Sequence, residues 1–160
     1  MAYDSAAASE LIEEVQQEYI ARYGGRDASP VDPAEFAPPE GMFLVGYADD
    51  MAAVCGGWRS YGTSSYGTSG YGTVAEVKRM YVRTAARGRG FARAMLAELE
   101  RTARAAGHDR IILGTGSKQP EAVALYRSAG YTDVTPFGYY ADTPLSIHLG
   151  KDLTANPAPA

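Results

Sequence analysis

Cysteine is nearly absent. The 160 residues hold one, Cys55, so no disulfide can form within the chain and redox chemistry does not hold the fold together. Long apolar runs are missing too, and none approaches the roughly 20 residues that a membrane-spanning helix needs. The first residues, Met1-Ala2-Tyr3-Asp4-Ser5, carry neither the basic stretch nor the apolar core of a secretory signal. These absences predict a cytoplasmic protein with no membrane partner. Nucleic acid is excluded as a partner on similar grounds. The sequence pI is about 5.2, and the basic residues lack the aromatic interleaving of RNA and DNA readers.

The length and the 46% apolar, 21% charged composition suit one soluble domain with a single sizeable core. The domain is expected over residues 1–153, with 154–160 as a flexible tail. The net charge of −4 hides an asymmetry: residues 1–50 sum to −9 and residues 51–160 to +5. A positive half suits a polyphosphate ligand, and an acidic half suits an amine-bearing one.

Ser9 to Tyr23 reads as an amphipathic helix, with Leu11, Val15, Tyr19 and Tyr23 on one face and Gly24-Gly25 as its stop. Four prolines between Arg26 and Gly41 make that stretch a loop, with a short turn near Ala34–Phe36. Met42–Ala48 and Met51–Trp58 read as a hairpin turning at Asp49-Asp50, and Val74–Val82 as a third strand. Between them, Tyr61 to Thr73 is a five-residue quasi-repeat of Tyr-Gly-Thr-Ser, too short for a solenoid. It reads as a surface insertion or as a loop folded over a substrate site. A helix follows from Phe91 to about Ala106, then a buried strand at Ile111–Leu113, and a helix from Pro120 that ends before Gly130. Strands at Tyr131–Val134 and Leu145–Leu149 complete the pattern. It predicts a mixed α/β (α+β) domain whose antiparallel N-terminal strands lead into at least one parallel pair.

The chemistry concentrates where the third strand runs into a helix. Arg87-Gly88-Arg89-Gly90-Phe91-Ala92 offers main-chain N–H groups that no large side chain shields. A helix N-terminus after a glycine-rich turn binds phosphate through its orphan donors and its dipole. Gly90 permits close approach, Ala92 keeps the first turn clear, and Arg83, Arg87, Arg89 and Arg93 add positive field. Read alone, the segment is equally a basic surface turn capping a helix. It is neither a Gly-x-Gly-x-x-Gly dinucleotide fingerprint nor a Walker loop, because Arg93 takes the third glycine position and no Gly-Lys-Ser/Thr follows.

The run Ala75-Glu76-Val77-Lys78-Arg79-Met80-Tyr81-Val82, followed by Arg87-x-x-Gly90-x-Ala92, resembles the GNAT (Gcn5-related N-acetyltransferase) family. The resemblance continues through Gln119 to Tyr131 and covers roughly Met42 to Leu153. It implies the GNAT fold, with strands splayed at a coenzyme A site, and transfer of the acetyl group of acetyl-CoA to a primary amine by direct attack. No metal is implied. By the resemblance, Arg87, Gly88, Arg89, Gly90, Phe91 and Ala92 bind the pyrophosphate of CoA. Met80, Tyr81 and Val82 meet the pantetheine arm through their main chain, as an added strand would, although the side chains of Met80 and Val82 also suit core packing.

Tyr126 falls where the family places a tyrosine near the thioester sulfur, so it is the expected acid for the leaving thiolate. A core tyrosine is the plainer alternative. Glu76 is the expected base, and strand alternation puts it on one face with Lys78 and Met80. Its alternative role is an ion pair with Lys78 or with an arginine on a neighbouring strand. His148 is a second candidate base. The acidic first half leans toward a small cationic acceptor, with Glu10, Glu14, Asp27 and Asp32 as candidates to meet it. The family also starts with a strand before its first helix, which residues 1–8 hardly accommodate, so an altered sheet edge or a homodimer is expected. A non-catalytic acyl-CoA-binding regulatory module is the alternative to an enzyme.

Overall fold

Ser5 starts the first helix, three residues earlier than the apolar pattern alone suggests. Its hydroxyl accepts the Ala8 N–H at 3.3 Å, satisfying one of the orphan donors of the first turn. In the computed structural model, which describes residues 1–61 and 74–154, α1 spans Ala6–Tyr23 and ends on Gly24 at φ 79. Leu11 and Val15 are buried, as their spacing predicts. The proline-rich stretch is a loop except for one 3-10 turn, Pro33–Phe36, closed by a capping box between Asp32 and Glu35.

The hairpin comprises β1 (Gly41–Ala48) and β2 (Met51–Tyr61), turning at Asp49-Asp50 with Asp49 at φ 54. Then come β3 (Val74–Val82), α2 (Phe91–Ala105), β4 (Arg110–Gly116), α3 (Pro120–Ser128), β5 (Thr132–Asp133) and β6 (Ser146–Asp152). Among the described residues they form one six-stranded sheet in the order β1-β2-β3-β4-β6-β5. The expected parallel pair is β3 with β4, and the other neighbours are antiparallel. Residues 1–5 form no strand. The Met1 amino group donates instead to the Phe43 carbonyl on the edge strand β1, at 2.9 Å. The Tyr-Gly-Thr repeat beyond Tyr61 and the tail beyond Thr154 lie outside the described residues.

Each face of the sheet carries a core. On one, Trp58 and Val77 pack with Met95, Leu96 and Leu99 of α2 and with Tyr126 of α3. On the other, Leu11 and Val15 of α1 meet Phe36, Phe43, Cys55 and Tyr81.

One expectation fails inside β3. Its pairing with β2 slips between Cys55 and Gly57, so that Arg79 and Met80 together face the single residue Gly56. This is a β-bulge, and Arg79 takes the left-handed φ of 60 within it. The extra residue reverses the alternation. Glu76 and Lys78 point to the α1 side, whereas Met80 is thrown to the α2 side, where its sulfur lies beside the Gly56 Cα and near Leu99 and Met95.

Crowding at the start of β1 gives a test of this packing. A methyl group on Gly41 would overlap the Glu35 carbonyl oxygen and come within 2.6 Å of the Trp58 carbonyl oxygen. Backbone cannot swing aside as a side chain can, so Gly41→Ala is expected to cost about 1–3 kcal/mol, read as a lower denaturant midpoint.

Candidate active site

Among the described residues, the parallel pairing of β3 and β4 lasts only from Val74 to Glu76, against Arg110 to Ile112. Beyond Glu76 the strands diverge. Two physical causes are visible: the Arg79 bulge twists β3 away, and β4 continues along β6 through Gly116↔Ser146. The cleft-side main chain of Val77 to Val82 is thereby left without a strand partner among the described residues. A cavity of about 660 Å³ opens there, bounded by α1, β3, β4, α3 and the loop before β6. Met80, Glu76, Tyr126 and His148 all line it.

The turn expected to bind phosphate lies past the end of β3. Gly88 and Gly90 both have φ 80, and beyond its immediate chain neighbours no atom of a described residue lies within 4 Å of where a side chain would start at either. Gly90 is the N-cap of α2 and supplies no side-chain cap. The first N–H groups of α2 therefore keep their donors for an outside acceptor. Arg89 lies over the Phe91 ring at 4.8 Å. Arg87 is less available, because it donates to Glu18 and to the Val82 carbonyl, both at 3.0 Å. The donor set, an uncapped helix N-terminus behind two left-handed glycines, fits a pyrophosphate. Gly90→Val is expected to raise the Kd for acetyl-CoA about tenfold or more, since valine is strained at that φ and screens the N–H groups. Calorimetric titration measures it.

Tyr126 is buried, 6% exposed, within the α2-side core and at the cavity wall, with its ring 5.8 Å from that of Tyr131. Burial pushes its phenol well above the usual tyrosine value. Such a group stays protonated at neutral pH and can donate to a leaving thiolate.

Glu76 is also buried, at 6% exposure. Its carboxylate accepts from Arg59 Nε at 3.0 Å, and Lys78 Nζ stands 3.9 Å away. Arg59 in turn donates to Glu35 at 3.0 Å and to the Pro30 carbonyl at 2.8 Å. Lys78 donates to Ser29 Oγ at 2.7 Å and faces Asp27 at 3.8 Å. Arg79 pairs with Asp27 and donates to Tyr3 Oη at 3.2 Å. A continuous chain of alternating charge thus runs along the α1 side of the cavity. Burial alone would raise the Asp27 pKa, but Lys78, Arg79 and hydrogen bonds from Ser29 reverse this and hold it at about 2.

Of the four acidic residues expected to meet a cationic acceptor, only Asp27 reaches the cavity, and it is neutralised there. Glu10 and Glu14 accept from Arg83 outside it. Asp32 caps the 3-10 turn.

His148 stands on β6 opposite Gly114 of β4. It is 7% exposed, with Phe137 edge-on at 5.0 Å. Neither ring nitrogen makes a hydrogen bond of normal geometry to a described residue.

Sequence reasoning missed Arg59, Arg79 and Tyr140. Tyr140 Oη donates to Asp27 at 3.0 Å and accepts the Ala28 N–H at 2.8 Å, clipping the loop before β6 onto the loop after α1. A charged residue beside Trp58 in an otherwise apolar strand could have drawn attention to Arg59. Tyr140 and Arg79 carry no comparable local mark.

Comparison with known proteins agrees with this geometry. The model of the acetyltransferase (GNAT) family matches residues 8–131. An Azospirillum brasilense protein named IAA acetyltransferase is 37% identical over 147 residues, covering 92% of this chain and 91% of that one. A Klebsiella pneumoniae protein assigned as an acyl-CoA N-acyltransferase superposes with a TM-score of 0.71 at 28% identity, covering 96% and 94% of the two chains. A Salmonella typhimurium acetyltransferase-fold structure, solved with its cofactor acetyl-CoA, gives 0.63 at 18% identity over 100% and 96%.

Proposed function

The chain belongs to the GNAT acetyltransferase family, and on that premise we propose that it moves the acetyl group of acetyl-CoA to a primary amine of a small molecule. The observations that carry this reading are the divergence of β3 from β4 after Glu76, which opens the cavity holding Tyr126, and the uncapped start of α2 that follows β3 in the chain. Met80, Tyr81 and Val82 offer main chain to the pantetheine arm. The turn from Arg87 through Gly88, Arg89, Gly90 and Phe91 to Ala92 takes the pyrophosphate. The name of the Azospirillum relative, an acetyltransferase of IAA, favours a small acceptor over a protein amine.

In this reading the amine nitrogen attacks the thioester carbonyl within a ternary complex, and Tyr126 gives a proton to the departing sulfur. A proton must also leave the nitrogen, and Glu76 and His148 are the two groups of the cavity wall suited to take it. An acyl-enzyme on cysteine is disfavoured. Cys55 is fully buried, its thiol is pushed up to about 12 by burial, and its Sγ donates to the Arg79 carbonyl at 3.2 Å. Initial rates measured over a grid of acetyl-CoA and amine concentrations are expected to give intersecting reciprocal lines. Parallel lines would require a covalent intermediate and would refute direct transfer.

A further inference from the structure

The side of the cavity formed by the loop before β6 has a chemistry of its own. Its wall is aromatic: Tyr61 meets Phe137 edge-on at 5.4 Å, Phe137 meets His148, and Tyr139 meets Tyr140 at 4.8 Å. Tyr139, 62% exposed, and Leu145, 40% exposed, stand at the rim. The three carboxylates of the lining are all engaged by the protein's own cations, Glu35 and Glu76 by Arg59, and Asp27 by Arg79 and Lys78. Among the described residues that wall this space, none offers a spare carboxylate to a polycation.

His148 contrasts with that closed network. It is a polar side chain more than nine-tenths buried, it lines the same cavity, and its ring nitrogens lack hydrogen-bond partners of normal geometry among the described residues. An imidazole left this way forfeits hydrogen bonds it would make in water. A substrate nitrogen would supply one.

We propose that this aromatic end is the acceptor subsite, that it takes a primary amine with an aromatic body, and that His148 is the base that receives the amine's proton. The inference rests on the N-acetyltransferase reading above and adds to it the substrate class and the base. As the nitrogen lone pair bonds to the acetyl carbon, one N–H proton passes to a neutral His148 ring nitrogen. As the carbon–sulfur bond breaks, one proton passes from Tyr126 to sulfur, and exchange with solvent restores both residues. Glu76 does not move a proton. Held by Arg59 and Lys78, it presents negative charge to the imidazolium as it forms.

The titratable groups that share the cavity with His148 are Glu76, Lys78 and Arg79 of β3, Arg59 and Tyr61 of β2, Tyr126 of α3, Tyr19 and Tyr23 of α1, Arg26, Asp27 and Glu35 of the segment after it, and Tyr139 and Tyr140 of the loop before β6. Gly114 of β4, which carries no charge, stands opposite. Burial lowers the imidazole pKa below its usual 6.5, opposed by the Tyr140 main chain and the Glu76 charge. His148 is therefore neutral, and competent as a base, at pH 7.

The test uses the full chain with acetyl-CoA and either 2-phenylethylamine or spermidine, following thiol release. Wild type is expected to acetylate 2-phenylethylamine at least tenfold faster than spermidine in kcat/KM, with kcat falling only as pH drops below about 6.5. His148→Gln and His148→Asn are both expected to lower kcat about 10²–10³-fold and to abolish that acidic limb. Their Kd for acetyl-CoA should stay within about twofold of wild type, which also reports a folded site. Glu76→Gln is expected to keep the limb but move it to lower pH, because the charge that favours imidazolium is gone. Retention of the limb in either folded His148 variant, or its loss in Glu76→Gln, would overturn the assignment of the base. A preference for spermidine, or no release with 2-phenylethylamine, would overturn the acceptor class. The wider transferase reading falls only if no amine of a broad panel supports release.

Discussion

Arg79→Ala is expected to cost the fold about 3–5 kcal/mol, the range found when one partner is removed from a buried ion pair. Arg79 is 5% exposed, and its guanidinium compensates Asp27 beneath the loop after α1. Truncation leaves Asp27 with Lys78, 3.8 Å away, the Ser29 hydrogen bonds and the Tyr140 hydroxyl, none of which replaces the guanidinium. It also removes the side chain that anchors the bulge to Tyr3. A double variant lacking Asp27 as well should lose less than the two single losses added together, because no orphaned charge remains. Urea denaturation of the four proteins measures this. A loss below about 1 kcal/mol for Arg79→Ala would mean that the pair behaves like a surface contact.

The same pair sets an acid limit. The folded-state pKa of Asp27 is about 2, below the unfolded value of 3.8. Its contribution is thus fully present above about pH 4 and is lost as pH falls toward 2. By linkage it amounts to roughly 2 kcal/mol.

Tyr126→Phe is the second large effect, an expected loss of about 10²–10³-fold in kcat with the KM for acetyl-CoA nearly unchanged. The substitution keeps the ring that packs against Tyr131 and in the α2-side core, so stability should move little. It removes only the hydroxyl. Because burial raises the phenol so far above its ordinary value, wild type should show no basic limb from Tyr126 across the range where the fold survives. Unchanged turnover in the phenylalanine variant would leave Tyr126 a core residue.

How much of this was legible beforehand depends on whether the signal is local. Val74–Val82 was readable to the residue, because a β-rich run with Val and Tyr has few alternatives. The start of α2 was readable because Gly90 followed by an apolar 3.6-residue pattern punctuates the chain clearly. The order of the phosphate turn, strand and Tyr126 helix was likewise visible. The bulge was not. A non-glycine residue at positive φ is fixed by its tertiary partners, here Asp27, Tyr3 and Cys55, and these come from distant parts of the chain. For the same reason Met80 was assigned to the wrong face. The role of Glu76 was ambiguous in sequence because a carboxylate and an arginine on adjacent strands look alike whether or not they pair. The register Arg59↔Glu76 brings them together. The acceptor wall was hidden because Phe137, Tyr139 and Tyr140 sit in the irregular segment between β5 and β6, where no periodicity operates.

On this reading the splayed β3–β4 cleft turns acetyl-CoA over rather than merely holding it. The most direct measurement follows free thiol from acetyl-CoA in the presence of a panel of primary amines, with the products identified by mass. The expected result is thiol release that requires an amine, matches N-acetylated product one for one, and falls about 10²–10³-fold in Tyr126→Phe. Tight binding of acetyl-CoA with no release above the uncatalysed rate for any amine would contradict it.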